Sequence, residues 1–338
     1  MLCLSTSAIG QGTSKKYIKR NKEPQFIIYG DSSIYARGIV AEEYKLFVGN
    51  SDGSIYHIDL LTRESQMLFN LPNMDEIRDL EITKNCLIGM HSGTDGKLVE
   101  LDFKGGVHIT YLKGWKGVFF DGLDVNGTAG FIMGDPINGK FSLFHSYDEG
   151  SSWEKCPTDL PASKGEAGFA ASGTNVQVLN EHTYAFVSGG ESSRFFKTVN
   201  NGTTWTDVKL PYYPGESIGA YSMCFANESE GVIVGGDYKD PTLGMNTCFF
   251  TKDGGASWYN AMESVRGYRS CVYFVNGVYY ACGRTGIDFS IDGGEEWTPF
   301  ANGTYFSMTS SNGQLIATTR YGRVALFDLV KTEEKEEE

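Results

Sequence analysis

The sequence predicts an all-β chain, a seven-bladed β-propeller with four-stranded blades whose last blade is closed by an N-terminal strand. Three observations predict it. One eight-residue phrase occurs four times, as "SYDEGSSW" (146–153), "TVNNGTTW" (198–205), "TKDGGASW" (251–258) and "SIDGGEEW" (290–297). A second phrase of glycine, two apolar positions and a closing aspartate fills parts that lack the first: "GSIYHID" (53–59), "GKLVELD" (96–102) and "GRVALFD" (322–328). Finally, 42 glycines and 13% aromatic residues in 338 suit many short strands with frequent turns rather than long helices.

The two phrases share one register. "GKFSLFH" (139–145) has the pattern of the second and runs straight into the first. Successive marks then fall at Asp59, Asp102, His145, Lys197, Phe250, Phe289 and Asp328, with steps of 43, 43, 52, 53, 39 and 39 residues. Such steps bracket the ~40–50 residues of a four-stranded propeller blade. Within a unit, "KLFVGNSDGSIYHIDL" is typical: short apolar runs, rich in β-branched and aromatic residues, joined through glycine. The seventh unit ends one strand short, whereas "QFIIYG" (25–30) precedes the first complete unit as a spare strand. It is expected to complete the last blade and remove a free edge. The predicted organisation is a leader or disordered start over 1–23, one propeller over 24–330, and an acidic disordered tail over 331–338.

The eight-residue phrase reads as a turn between the last two strands of a blade. After its opening Ser146, Thr198, Thr251 or Ser290, its Asp or Asn (Asp148, Asn200, Asp253, Asp292) can accept backbone amide protons within the turn. The glycine two residues on (Gly150, Gly202, Gly255, Gly294) takes a left-handed conformation cheaply. The closing Trp153, Trp205, Trp258 or Trp297 packs its ring into the adjoining seam. A catalytic carboxylate would not normally recur at four equivalent places, so these sixteen residues are assigned structural roles.

The phrase resembles the Asp-box, or BNR repeat, of sialidases and many other propellers. The seven-unit layout resembles the photosystem II stability and assembly factor group and its uncharacterised bacterial relatives, as do "GDPINGKF" (134–141), "GEAGFAASGT" (165–174), "GGDY" (235–238) and "GYRS" (267–270). The resemblance covers about residues 30–328. It implies a propeller fold and says little about activity.

Charge and cysteines narrow the function classes. A formal charge of −13 repels phosphate backbones, which argues against nucleic acid as a partner. No run approaches the 18 or more apolar residues that a membrane helix needs. "MLCLSTSAIGQG" (1–12) resembles the end of a secretory signal without its basic start; a weak signal and a plain disordered end both fit. An extracytoplasmic, monomeric protein is the expectation. In "CVYFVNGVYYAC" a two-residue Asn276-Gly277 turn sets Cys271 opposite Cys282, either as a disulfide or as two packed thiols. The cysteines show no zinc spacing and the five histidines are scattered, so neither a metal nor another cofactor is expected. Asn126, Asn201 and Asn302, each in "NGT", fit glycan acceptors or Asn-Gly turns.

If each blade's first strand lines the axis, the interblade loops and those between second and third strands emerge on one face. The surplus length of the 52- and 53-residue units lies there, in "PASKGEAGFAASG", "PYYPGESIGAYS" and "GGDYKDPTLGMNT". The candidate ligand-binding residues of that face are Asp135, Glu166, Arg194, Asp237, Tyr238, Arg269, Arg284 and Arg320, with Arg37, Arg78 and Asp121 near the starts of inner strands. Guanidinium forks match carboxylates in pairs, so these residues either hold an anionic or polyhydroxyl ligand or satisfy one another.

Two functions compete. One is a non-enzymatic binding or assembly scaffold holding a protein or glycan. The other is a sialidase-like glycoside hydrolase or lyase, which would need three converging arginines, a tyrosine nucleophile activated by a glutamate, and an aspartate acid. Whether the chain is an enzyme stays open, with the balance against it: the early arginine motif of sialidases is missing, seven units do not fit their six-bladed layout, and no Gly-rich dinucleotide loop supports an oxidoreductase. No catalytic residue is assigned.

Overall fold

The computed structural model describes residues 16–18, 23–70, 76–111 and 117–333. The leader-like opening with Cys3 and the last five residues of the acidic tail lie outside the described residues. Among those described, all regular structure is β-strand, with seven four-stranded antiparallel blades, the sheet of the fifth being extended to six strands by Gly189–Gly190 and Glu166–Ala167. Blades 1 to 6 span 36–69, 77–111, 120–155, 176–209, 218–260 and 271–301; blade 7 takes 308–328 and, as its outer strand, Gln25–Ile28. That strand pairs antiparallel with Arg323–Asp328, Phe26 opposite Ala325, so the ring closes as expected. Regular structure also passes both expected propeller bounds: Lys16–Ile18 pairs with Lys331–Glu333.

The first strand of every blade packs against the first strand of the next, through to the contact of blade 7 with blade 1. Side chains stitch this inner wall blade to blade. Asp79 Oδ2 accepts from Leu123 N (2.9 Å) and Asp124 Oδ2 from Val178 N (2.5 Å). Gln177 Oε1 accepts from Phe225 N and Ser222 Oγ from Val272 N, each at 2.8 Å. Farther out, apolar residues of neighbouring blades share one core per seam, as where Phe131 and Met133 of blade 3 meet Tyr184 and Phe186 of blade 4. Cys271 stands directly opposite Cys282 across the Asn276-Gly277 turn, and both are buried free thiols.

The four turns behave alike. Gly150 N donates to Ser146 Oγ (2.9 Å) and Ser152 N to Asp148 Oδ1 (2.8 Å). Equivalent pairs of bonds run to Thr198 and Asn200, to Thr251 and Asp253, and to Ser290 and Asp292. The glycines have φ of 80°, 76°, 90° and 96°, where a side chain would be strained. Each tryptophan seals the seam with the preceding blade: Trp258 of blade 5 lies 5.1 Å, centroid to centroid, from Phe195 of blade 4.

Candidate functional site

The site begins with a backbone irregularity repeated in four blades. Near the start of its inner strand, each of blades 1, 2, 3 and 5 carries a β-bulge that leaves one residue without a cross-strand partner: Arg37, Arg78, Asp121 and Tyr221. Bulges re-aim side chains. Three of the four, Arg37, Arg78 and Tyr221, line a cavity of about 290 Å³ together with Arg284, Tyr238, Ser270, Phe169, Ala170, Ala171, Tyr268, Tyr305 and Phe306.

Its floor is the loop from 165 to 174, which crosses from blade 3 towards blade 4. Arg37 Nη1 donates to Ala171 O (2.8 Å) and Arg78 Nη1 to Ala170 O (2.9 Å). Ser172 Oγ donates to Ser270 O (2.7 Å), and Thr174 Oγ1 shares a hydrogen bond with Ser222 Oγ (2.6 Å). Gly173, at φ 77°, lies so close to Asp79 that a Cβ there would sit 2.0 Å from its carboxyl carbon. One segment is thereby fastened to blades 1, 2, 5 and 6 and plugs the axis.

The two arginines of the floor share one carboxylate. Arg78 Nε donates to Glu76 Oε2 (2.8 Å), and Arg37 Nε lies 3.1 Å from Glu76 Oε1, an ion pair without hydrogen-bond alignment. Arg37 also lies over the rings of Tyr35 and Phe306, and Arg78 over Phe119. At the rim, exposed Arg284 donates to Tyr238 O (3.2 Å). Phe169 and Tyr221 stack at 4.2 Å, with Tyr268 edge-on to Tyr221 at 4.8 Å. Burial pushes the phenols of Tyr221 and Tyr268 up, so both stay protonated at neutral pH.

Of the eleven candidates, Arg37, Arg78, Tyr238 and Arg284 come together at this cavity. The others are employed elsewhere. Arg269 is fully buried and paired with equally buried Asp288, its Nε 3.1 Å from Oδ2, and so does not line the cavity. Glu166, 4% exposed, takes both Nε (3.0 Å) and Nη2 (2.6 Å) of Arg194, and this pair ties the base of the plug to blade 4. Asp121 is buried beneath Gly168 and Asp135 accepts from Gly168 N (3.0 Å), so both support the plug from below. Desolvation raises the carboxyls of both; at Asp121 the neighbouring Asp135 adds to it. Asp237 caps its loop, accepting from Ser217 Oγ (2.7 Å) and Lys239 N (2.8 Å). Arg320 is exposed and forms a backbone bridge to Tyr35.

Sequence reasoning missed Glu76 and the aromatic walls. Tyr221 occupies its strand's bulge as Arg37 and Arg78 do theirs, but it is the fourth residue of Ile218–Phe225 where they are the second of theirs, so spacing did not single it out. Glu76 lies just before a strand, where no phrase recurs. Among the described residues no group of three or more His, Cys, Asp or Glu side chains has an arrangement that could hold a metal.

Comparison with known proteins speaks to the fold. No family model matches the chain, and no curated protein does. Among solved structures it is similar to the WD40 β-propeller domain of Doa1, with a TM-score of 0.63 and 11% identity over 96% of this chain and 98% of that one. It is also similar to the computationally designed Ika8 protein, with a TM-score of 0.56 and 11% identity over 89% and 98% of the two chains. At such identities the likeness establishes a β-propeller and nothing about ligands.

Proposed function

We propose that this protein is a non-enzymatic binding or assembly scaffold that presents its loop-rich face to a protein or glycan partner, outside the cytoplasm, with the axial cavity as the point of contact. One observation carries this reading: the fold gathers three guanidiniums around a preformed concavity whose lining includes no carboxylate. Glu76, lying behind the lining, is already shared by two of them. Cationic groups held ready on a rigid ring offer an acidic partner group a site that needs little rearrangement. The four recurring turns are the scaffold that keeps the ring in shape.

The experiment compares wild type with an Arg284→Glu, Tyr238→Ala double variant in a glycan array and a pull-down. Both side chains are exposed, so the variant should fold normally. Loss of the wild-type partner by the folded variant is the expected result. An unchanged partner list would place binding elsewhere, and product formation from a glycan would replace the scaffold reading with a hydrolase.

A further inference from the structure

The axial cavity has a chemical sidedness that narrows what enters it. We infer that it takes a single aromatic ring bearing a carboxylate, either as a free small acid or as the last residue of a polypeptide ending in an aromatic side chain. This rests on the reading of the cavity as the binding point and goes on to specify its ligand.

The charge argument comes first. Arg37 and Arg78 divide the single carboxylate of Glu76, and among the described residues the Arg284 side chain donates to a carbonyl and to no carboxylate. Positive charge is therefore left over at the mouth. The other nearby acids cancel it only in part: three guanidiniums face the carboxylates of Glu76 and Asp237, the latter held by Ser217 Oγ and the Lys239 backbone amide, while Asp121 is buried below the plug with its carboxyl pushed towards the neutral form. A locally cationic cavity in a chain of net charge −13 admits a small anion but disfavours a polyanion, which the surrounding surface repels.

The second argument concerns hydroxyl groups. Two of the four lining tyrosines, Tyr221 and Tyr305, turn their hydroxyls away into backbone carbonyls, Ser217 O at 2.8 Å and Asn302 O at 3.0 Å. Ser270 Oγ likewise donates to Phe306 O at 2.8 Å. Phe169, Phe306, Ala170 and Ala171 add apolar surface. Against these apolar and turned-away groups a sugar ring would forfeit hydrogen bonds to water, whereas an aryl ring gains stacking partners. Guanidiniums paired with a carboxylate supply the charge-assisted bonds that fix its orientation. At about 290 Å³ the cavity is at the small end of ligand sites and accommodates one ring with a short acid chain.

The test is a calorimetric titration of the full-length protein with 3-phenylpropanoate, benzyl alcohol, glucuronate, and a heptapeptide ending in phenylalanine as free acid or amide. Saturable one-to-one binding of 3-phenylpropanoate is expected, with none of the alcohol and little of glucuronate. Arg284→Ala should weaken it by about tenfold or more, as loss of a hydrogen bond to a charged group does. If the peptide acid binds more tightly than 3-phenylpropanoate and its amide does not bind, the source is a polypeptide terminus; the reverse order points to a free acid. Binding of 3-phenylpropanoate unaffected by Arg284→Ala, or no binding of either aromatic acid, overturns the inference. Glucuronate binding alone would do so while leaving the scaffold reading intact, and a partner captured through Arg284 and Tyr238 with no aromatic-acid binding would separate the two ideas in the same way.

Discussion

Arg78 and Asp121 occupy equivalent bulges in neighbouring blades and have opposite duties, one lining the cavity and the other supporting its floor. Sequence spacing placed both near the starts of inner strands, because the repeat fixes the register of every unit. It could not tell which would be covered, since that depends on a loop with no counterpart in other blades. The same limit explains Arg269. As an arginine beside a long loop it looked available, yet Asp288, nineteen residues on, takes its charge inside the core. A buried charge with its partner removed is costly, so this pair holds the fold and is unsuited to probing binding. Asp124 gives a residue-scale prediction. Desolvation within the ring raises its carboxyl to about 6, although it is not sealed from solvent, and backbone amides of Val178 and Val125 pull it partly back. The folded state therefore holds this proton more tightly than the unfolded chain, so the stability it contributes is complete below about pH 4 and is lost as pH rises through about 6. Buried Asp79 and half-buried Glu81 are raised in the same direction by desolvation. Asp124→Asn keeps an oxygen for the Val178 amide and should flatten the fall in stability between pH 4 and 7 by on the order of 2 kcal/mol. Urea midpoints at those two pH values measure it, and an unchanged slope would show that Asp124 titrates normally.

At the level of elements, the eight-residue turn was almost fully legible, because its chemistry is local: a hydroxyl, a carboxylate or amide and a glycine meet within five residues. What spacing hid was the target of its tryptophan. Trp153, Trp205, Trp258 and Trp297 reach the preceding blade, so each turn locks a seam as well as its own hairpin. Blades 1 and 2 use the shorter phrase. Asp59 still caps its turn, accepting from Leu61 N (2.8 Å) and Thr62 N (2.9 Å), but it brings no large ring. Between these blades a cavity of about 260 Å³ stays open, lined by Phe47, Leu68, Leu101 and Phe103. Trp258→Ala should open a comparable gap between blades 4 and 5 and cost about 3–5 kcal/mol, as truncation of a large aromatic does. Thermal unfolding measures the cost. Ligand binding below the lowered Tm should be unchanged, and selective loss of binding at normal stability would overturn the structural role of the turn.

For the whole molecule, the strand Gln25–Ile28 joins the first part of the chain to the last blade, so the ring has no free end and its axis is a fixed frame. The fold was readable because seven similar units repeat one pattern of phrases. The site was only partly readable because it depends on what does not repeat, the segment from 165 to 174 that leaves its blade and plugs the channel. Nothing in its composition says that Arg37, 134 positions away, will hold its carbonyl. The plug and the bulged residues around it should respond together to a bound partner, while the outer turns should not. Hydrogen–deuterium exchange of the full chain, with and without its captured partner, tests this most directly. The account predicts added protection over 165–174 and the starts of the inner strands near Arg37, Arg78 and Tyr221, with the turns at 146–153, 198–205, 251–258 and 290–297 unchanged. Protection confined to those turns or to the outer strands, with the plug unaffected, would contradict it.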